Sequence, residues 1–313
     1  MTMPFAFVFP GQGSQAVGML DAWGDHPAVR ATLEEASQAL GQDLAALIAG
    51  GPKEQLDLTT NTQPVMLTAA VACFRAWRAE GGAMPLAVAG HSLGEYSALV
   101  AAGALTLADA LPLVRLRANA MQQAVPVGVG AMAAILGLDA DTVRAGCEQA
   151  AAASGEVVSA ANFNDPKQTV IAGTKAGVDK ACEVLKGLGA KRTLPLAVSA
   201  PFHCSLMKPA ADVLRDALRS VAIAAPQVPV VNNIDVAAPA DADAIRDALY
   251  RQAFGPVRWV EVVQALRAQG AAAIVECGPG KVLAGMVKRI DAEAISGAVF
   301  DPASLAEVKA VLG

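Results

Sequence analysis

Short apolar runs that end in glycine-rich turns, each followed by an alanine-rich stretch of helical period, recur along the chain. FAFVF runs into PGQGSQ, LAVAG into HSLGE, and AAAIVE into CGPGK. Repeated strand-turn-helix units predict an α/β architecture, a parallel sheet with helices on its faces. Ligands of such sheets gather beyond the carboxyl ends of the strands, where these three turns fall. Between about Val127 and Leu196 the rhythm changes. Strands are expected at GAMAAILGL, EVVSAANF, QTVIAG and AKRTLPL, with helices at DADTVRAGCEQAAA and TKAGVDKACEVLKGL. The order β-α-β-β-α-β over roughly 70 residues is the ferredoxin-like pattern. The expected organisation is therefore a large domain, residues 1–126 and 197–313, with a small domain, residues 127–196, inserted into it.

Composition narrows the class. With 313 residues, 54% hydrophobic and 17% charged, the chain has ample material for one large or two modest cores. Its formal charge of −5 argues against a binder of phosphate backbones, which needs a net or clustered positive field, so no nucleic-acid partner is expected. The five cysteines are widely spaced without a C-x-x-C, which predicts neither a disulfide framework nor a zinc knuckle and points to a reducing, cytoplasmic setting. MTMPFAFVFP carries no positive n-region and is too short for a signal peptide, and the uncharged stretch Ala118 to Leu138 is broken by Asn, Gln, Pro and Gly. No membrane span is expected.

Gly90-His91-Ser92-Leu93-Gly94 matches the G-x-S-x-G nucleophile elbow, between a strand, LAVAG, and a helix, EYSALVAAGAL. A serine needs a base within hydrogen-bond reach. Among the three histidines, His91 abuts Ser92 and points away from it in a sharp elbow, and His26 in GDHP reads as a surface turn. His203 in SAPFHC is left as the general base. No acid lies near it in sequence, so the acceptor that orients it is either a distant Asp or a backbone carbonyl. Gly11-Gln12-Gly13 after the first strand also fits G-x-G-x-x-A, the dinucleotide fingerprint, but the acidic residues some 20 positions on, Glu34 and Glu35, sit inside a helical pattern. The other use of these glycines is close backbone approach to a developing oxyanion. Arg117 lies in a helical run with little other charge, where a surface position is the plain reading. His91 and Glu95 have i,i+4 spacing but no third ligand, so no metal is expected.

Taken together and in order, GQGSQ, GHSLGEYSAL, RLRANAMQQAVP, AANFN, PFHC, QAFGPVRW and ECGPGK resemble the malonyl-CoA:acyl-carrier-protein transacylases of bacterial fatty-acid synthesis. The motifs run from residue 11 to 281, nearly the whole chain. The resemblance implies an α/β-hydrolase-like large domain with a ferredoxin-like insertion, in agreement with the pattern. It implies Ser92 as the nucleophile that becomes malonylated, His203 as its acid/base partner, and the main-chain carbonyl of Gln252 as the group that orients the imidazole. The backbone amides of Gln12 and Leu93 would form the oxyanion hole. Arg117 would hold the free malonyl carboxylate, with Phe202, Met121 and Asn162 also in the substrate pocket and Phe202 leaving little room for a methylmalonyl branch.

The implied substrates are malonyl-CoA and an acyl carrier protein, with no cofactor beyond the CoA thioester and a monomeric enzyme. Carrier proteins of this pathway are acidic, so a basic patch at Lys191 and Arg192 is a candidate docking field, against the plain reading of a solvated strand end. A free-standing acyltransferase serving a polyketide synthase would share every motif. A serine thioesterase would share the dyad.

Overall fold

The structure, a computed structural model, describes residues 3–126 and 128–313. Met1 and Thr2 of the amino-terminal segment, and Val127, the expected first residue of the insertion, lie outside the described residues. Strand β1 (Phe5–Phe9) leads through helices α1 (Pro27–Leu40), α2 (Leu44–Gly50), α3 (Lys53–Leu56) and α4 (Thr59–Ala79) to β2 (Ala87–Gly90), α5 (Gly94–Ala101) and α6 (Leu107–Gln123). The chain then forms β3 (Gly130–Leu136), α7 (Ala140–Ser154), β4 (Val158–Asp165), β5 (Gln168–Thr174), α8 (Lys175–Gly187) and β6 (Arg192–Pro195). It returns through α9 (Lys208–Leu218), β7 (Val230–Val231), α10 (Ala242–Gln252), α11 (Trp259–Ala268), β8 (Ala273–Cys277), α12 (Val282–Ile290), β9 (Ile295–Val299) and α13 (Pro302–Leu312).

Two separate sheets result. Five parallel strands lie in the order β7-β2-β1-β8-β9. β1, β2 and β8 are thus neighbours, and the three glycine-rich turns emerge side by side at one edge. β1 is buried along its whole length, as a strand covered on both faces must be. Phe5, Phe7 and Phe9 pack into one core with Phe74 and Trp77 of α4, while Ala6 and Val8 face a second core with Val262 and Leu266 of α11. The other sheet is antiparallel, β4-β5-β3-β6, and buries one face under α7 and α8.

The sheets meet at β4. The amide of Phe163 donates to the Val257 carbonyl at 2.9 Å, that of Val257 donates to Ala161 at 2.8 Å, and Arg289 of α12 pairs with Asp165 at 2.7 Å. A cleft of about 540 Å³ opens between the sheets over the three turns, as the strand-turn-helix pattern requires. One expectation is corrected: the pattern EYSALVAAGAL predicts a helix to Leu105, but α5 ends at Ala101, because Gly103 takes a left-handed turn (φ 72°) and reverses the chain. No helix of the described residues is long and apolar enough to cross a membrane.

Candidate active site

The elbow is built by close packing. A Cβ on Gly90 would lie 1.8 Å from the carbonyl carbon of Gly94, and one on Gly94 would lie 2.1 Å from the Phe9 oxygen. Between them Ser92 adopts φ 54°, a left-handed conformation that costs a serine about 1–3 kcal/mol and persists only when its surroundings hold it. Asn233, just after β7, does so. Its Oδ1 accepts from the Ser92 amide and its Nδ2 donates to the Gly90 carbonyl, each at 2.7 Å. Ser92 is thereby lifted over the end of β2, with Oγ facing the cleft.

His203 arrives from the segment that follows β6. Its Nε2 lies 2.7 Å from Ser92 Oγ, and its Nδ1 lies 3.0 Å from the Gln252 carbonyl and 3.2 Å from that of Gly255. Carbonyls only accept, so Nδ1 carries the hydrogen and Nε2 turns its lone pair to the serine hydroxyl. Gln252 is the last residue of α10, where carbonyls lack intrahelical partners and the helix end is partially negative. Burial, then the nearby Arg117 cation, lower the pKa of His203 from 6.5 to about 3, which keeps the imidazole neutral and able to take a proton at neutral pH. The acceptor left open by the sequence is this pair of carbonyls.

Arg117 is not at the surface. It reaches in from α6, only 2% exposed, and donates to Gln63 Oε1 (2.8 Å), Gln252 Oε1 (3.2 Å) and Ser92 Oγ (3.2 Å). All three acceptors are neutral, and its carbon Cζ stands 5.6 Å from the centre of the Tyr96 ring. Burial pulls its pKa down, while Tyr96 and Glu95 push it back. A guanidinium so placed, beside the nucleophile, is electrostatically incomplete until an anion enters.

The other expected residues divide. Gln12 and Leu93 line the cleft next to Ser92, and among the described residues their main-chain N–H groups have no protein acceptor. Gly11 allows this approach, since a Cβ there would meet the His91 carbonyl at 2.6 Å. Phe202 and Asn162 line the same cleft. Met121 does not: it is buried behind Gln63, whose Nε2 is 3.9 Å from its sulfur. Lys191 and Arg192 do not reach the cleft either. Arg192 opens β6 with Lys191 just before it, and Leu196, which lines the cleft, lies roughly 13 Å along the chain from Arg192 at the rise of a strand. The Lys191 side chain instead covers Gly137.

His91 supports the turn, with Nε2 2.8 Å from Asn164 Oδ1 and its ring 5.3 Å from that of Trp259. Glu95 turns the other way, to Asn233 and Gln252, so the i,i+4 pair does not converge. Among the described residues no group of three or more His, Cys, Asp or Glu side chains is placed to hold a metal. The Gly11–Gly13 loop leads to a short 3-10 turn, Asp21–Trp23, rather than a helix, and Glu35 is paired with Arg75 at 2.6 Å.

Sequence reasoning passed over Gln63, Asn164, Asn233 and the present role of Glu95. The available signal was an amide bordering an apolar run, as Gln63 does before PVML and Asn233 after PVVN.

Residues 6–303 match the family model described as the acyl transferase domain. A curated malonyl CoA-acyl carrier protein transacylase of Escherichia coli K12 is 54% identical over 303 residues, 96% of this chain and 97% of that protein. The chain belongs to the malonyl CoA-acyl carrier protein transacylase family. Another member, from Bacillus subtilis, is 44% identical, covering 96% of this chain and 94% of its own. Among solved structures, an acyl-carrier-protein S-malonyltransferase of Burkholderia pseudomallei 1710b superposes with a TM-score of 0.96 at 67% identity, over 98% and 99% of the two chains. A malonyl-transacylase in complex with its type II PKS acyl-carrier protein gives 0.94 at 51% identity, over 97% and 98%. Relatives in this family thus match the chain across both sheets.

Proposed function

We propose that this protein transfers the malonyl group of malonyl-CoA to the phosphopantetheine thiol of an acyl carrier protein through a malonyl ester on Ser92. The observation that carries the reading is a buried cation, Arg117, held by neutral partners 3.2 Å from a serine oxygen that is itself hydrogen-bonded to a neutral histidine.

In the first half-reaction Ser92 Oγ attacks the thioester carbonyl as His203 Nε2 takes its proton. The tetrahedral oxygen is received by the amides of Gln12 and Leu93, donors of a kind worth about 2.7–4 kcal/mol each. Collapse breaks the carbon–sulfur bond, and His203 returns its proton to the departing CoA thiolate. In the second half the carrier protein's thiol gives its proton to His203, attacks the ester, and Ser92 leaves with that proton. The imidazolium that forms in each half is stabilised by the Gln252 and Gly255 carbonyls. Arg117 pairs with the malonyl carboxylate, and an acetyl group would leave the cation unmatched. Phe202 and Asn162 shape the acyl pocket, and Met121 supports it through Gln63.

Residues 1–126 and 197–313 act as an α/β-hydrolase-like unit and 127–196 as a ferredoxin-like insertion, a description supported by the β-α-β-β-α-β order and the strand sequence β4-β5-β3-β6. The same reading has a monomer at work in a reducing cytoplasm, with no cofactor beyond the thioester. Carrier-protein docking at Lys191 and Arg192 loses support from their place away from the cleft.

A transfer assay tests the function. Wild-type protein should move label from malonyl-CoA to carrier protein, and Ser92→Ala should not. Continued release of CoA beyond one equivalent per chain in the absence of carrier protein would instead mark a thioesterase. The match to a transacylase bound to a type II PKS carrier recommends running fatty-acid and polyketide carrier proteins side by side.

A further inference from the structure

Glu95, in the first turn of α5 three residues after the nucleophile, is 2% exposed and takes no direct part in the reaction described above. Its Oε2 accepts two hydrogen bonds, from the Asn233 amide at 2.8 Å and from Gln252 Nε2 at 3.1 Å. Both donors serve the reacting residues. Asn233 holds the Ser92 amide through its side chain, and Gln252 gives its other Nε2 hydrogen to the Ser92 carbonyl at 2.9 Å.

We propose that Glu95 is a positioning residue for acyl-group selection: by accepting from Gln252 Nε2 it locks the Gln252 amide so that Oε1 faces Arg117 and the guanidinium is held where a substrate carboxylate must dock. The inference rests on the malonyl-transfer reading and names a residue that enforces its selectivity. The amide has one satisfactory orientation. Its Nε2 faces a carbonyl and a carboxylate, both acceptors, while its Oε1 faces Arg117 Nη2 at 3.2 Å. Turned over, Oε1 would meet two acceptors and Nε2 would meet a cation.

Without Glu95 the amide would lose one of the two acceptors that fix its Nε2, leaving the Ser92 carbonyl and the Arg117 cation to hold its orientation. When the amide turns, the guanidinium loses its Gln252 acceptor and is held only by Gln63 and by the serine hydroxyl that must itself move in the reaction. A misplacement of about 1 Å is enough to cost on the order of a hundredfold in rate, but only for a substrate that uses the misplaced group. Malonyl thioesters use Arg117; acetyl thioesters do not. Selection therefore separates positioning from general support of the fold, which would lower both rates together.

The test measures kcat/KM for malonyl-CoA and acetyl-CoA with the same carrier protein in wild type, Glu95→Gln, Glu95→Met and Glu95→Ala, each checked by thermal melt. Glu95→Gln keeps an acceptor oxygen and should hold the malonyl-to-acetyl ratio within about threefold of wild type, whereas Glu95→Met or Glu95→Ala should lower it by at least about tenfold, the scale of one lost hydrogen bond to a charged network. Whichever of Met and Ala is recovered folded serves as the test, and if neither is, Glu95→Gln decides alone. A ratio unchanged in a folded Met or Ala variant, or collapsed in folded Glu95→Gln, would overturn the inference while wild-type malonyl transfer stood. Failure of wild type to transfer malonyl would overturn the functional reading and this one with it.

Discussion

At the scale of single residues the site is an arrangement of protons and one fixed charge. Ser92 Oγ lies between a base that the fold keeps neutral and a cation whose hydrogen-bond acceptors, Gln63, Gln252 and Ser92 itself, are neutral. Removing one member of a buried charge pair costs about 3–5 kcal/mol, so the pocket is matched to an acyl group that brings its own carboxylate. Arg117→Ala should therefore leave Ser92 open to acylation but lower the malonyl-to-acetyl preference by at least about a hundredfold, measured as the ratio of kcat/KM values. An unaltered ratio would remove the carboxylate clamp. Ser92 and His203 were legible in the sequence, one from a local turn motif and the other by elimination among three histidines. Gln63, Glu95 and Asn233 were not, because a buried polar side chain gains its meaning from partners as far as 157 positions away.

At the scale of elements, the junction of β2 and α5 places the nucleophile, and it does so by excluding side chains. Gly94 has the Phe9 oxygen 2.1 Å from where its Cβ would be, and that contact is to backbone, which has little room to shift. Gly94→Ala should separate β1 from α5, giving a protein that is insoluble or lowered in melting temperature together with loss of transfer. A variant with wild-type melting and activity would show that the close approach is dispensable. The apolar runs FAFVF, LAVAG and AAAIVE stood out because strands buried on both faces have no polar alternation. By contrast, β7 is two residues long and is defined by pairing with β2, so no local periodicity marks it. Helix α10 matters through its final residue, Gln252, whose carbonyl is free because the helix stops there and whose side-chain amide meets Arg117.

At the scale of the whole molecule, a buried carboxyl links stability to pH. Glu276, at the end of β8, accepts from the Ala284 amide at 2.9 Å and so caps α12, one wall of the cleft. Burial raises its pKa from 4.5 to about 7, with the α12 amides pulling the other way. The folded protein thus holds a proton that the unfolded chain releases. The contribution is complete below about pH 4.5 and fades as pH rises through about 7, at roughly 1.4 kcal/mol per unit of displacement. Glu276→Gln should lose that part of the decline, so its stability relative to wild type improves from pH 4.5 to pH 7 in urea unfolding. A constant difference across that range would contradict the assignment.

The same cleft gathers its lining from both sheets, and the account stands or falls on what Ser92 does there. Intact-mass spectrometry after rapid quenching of enzyme mixed with malonyl-CoA, without carrier protein, is the most direct measurement. The account predicts one added malonyl group per chain, mapped to the peptide bearing Ser92, absent in Ser92→Ala and discharged when carrier protein is added. An unmodified Ser92 under conditions that support turnover, or a malonyl group carried on another side chain, would contradict it.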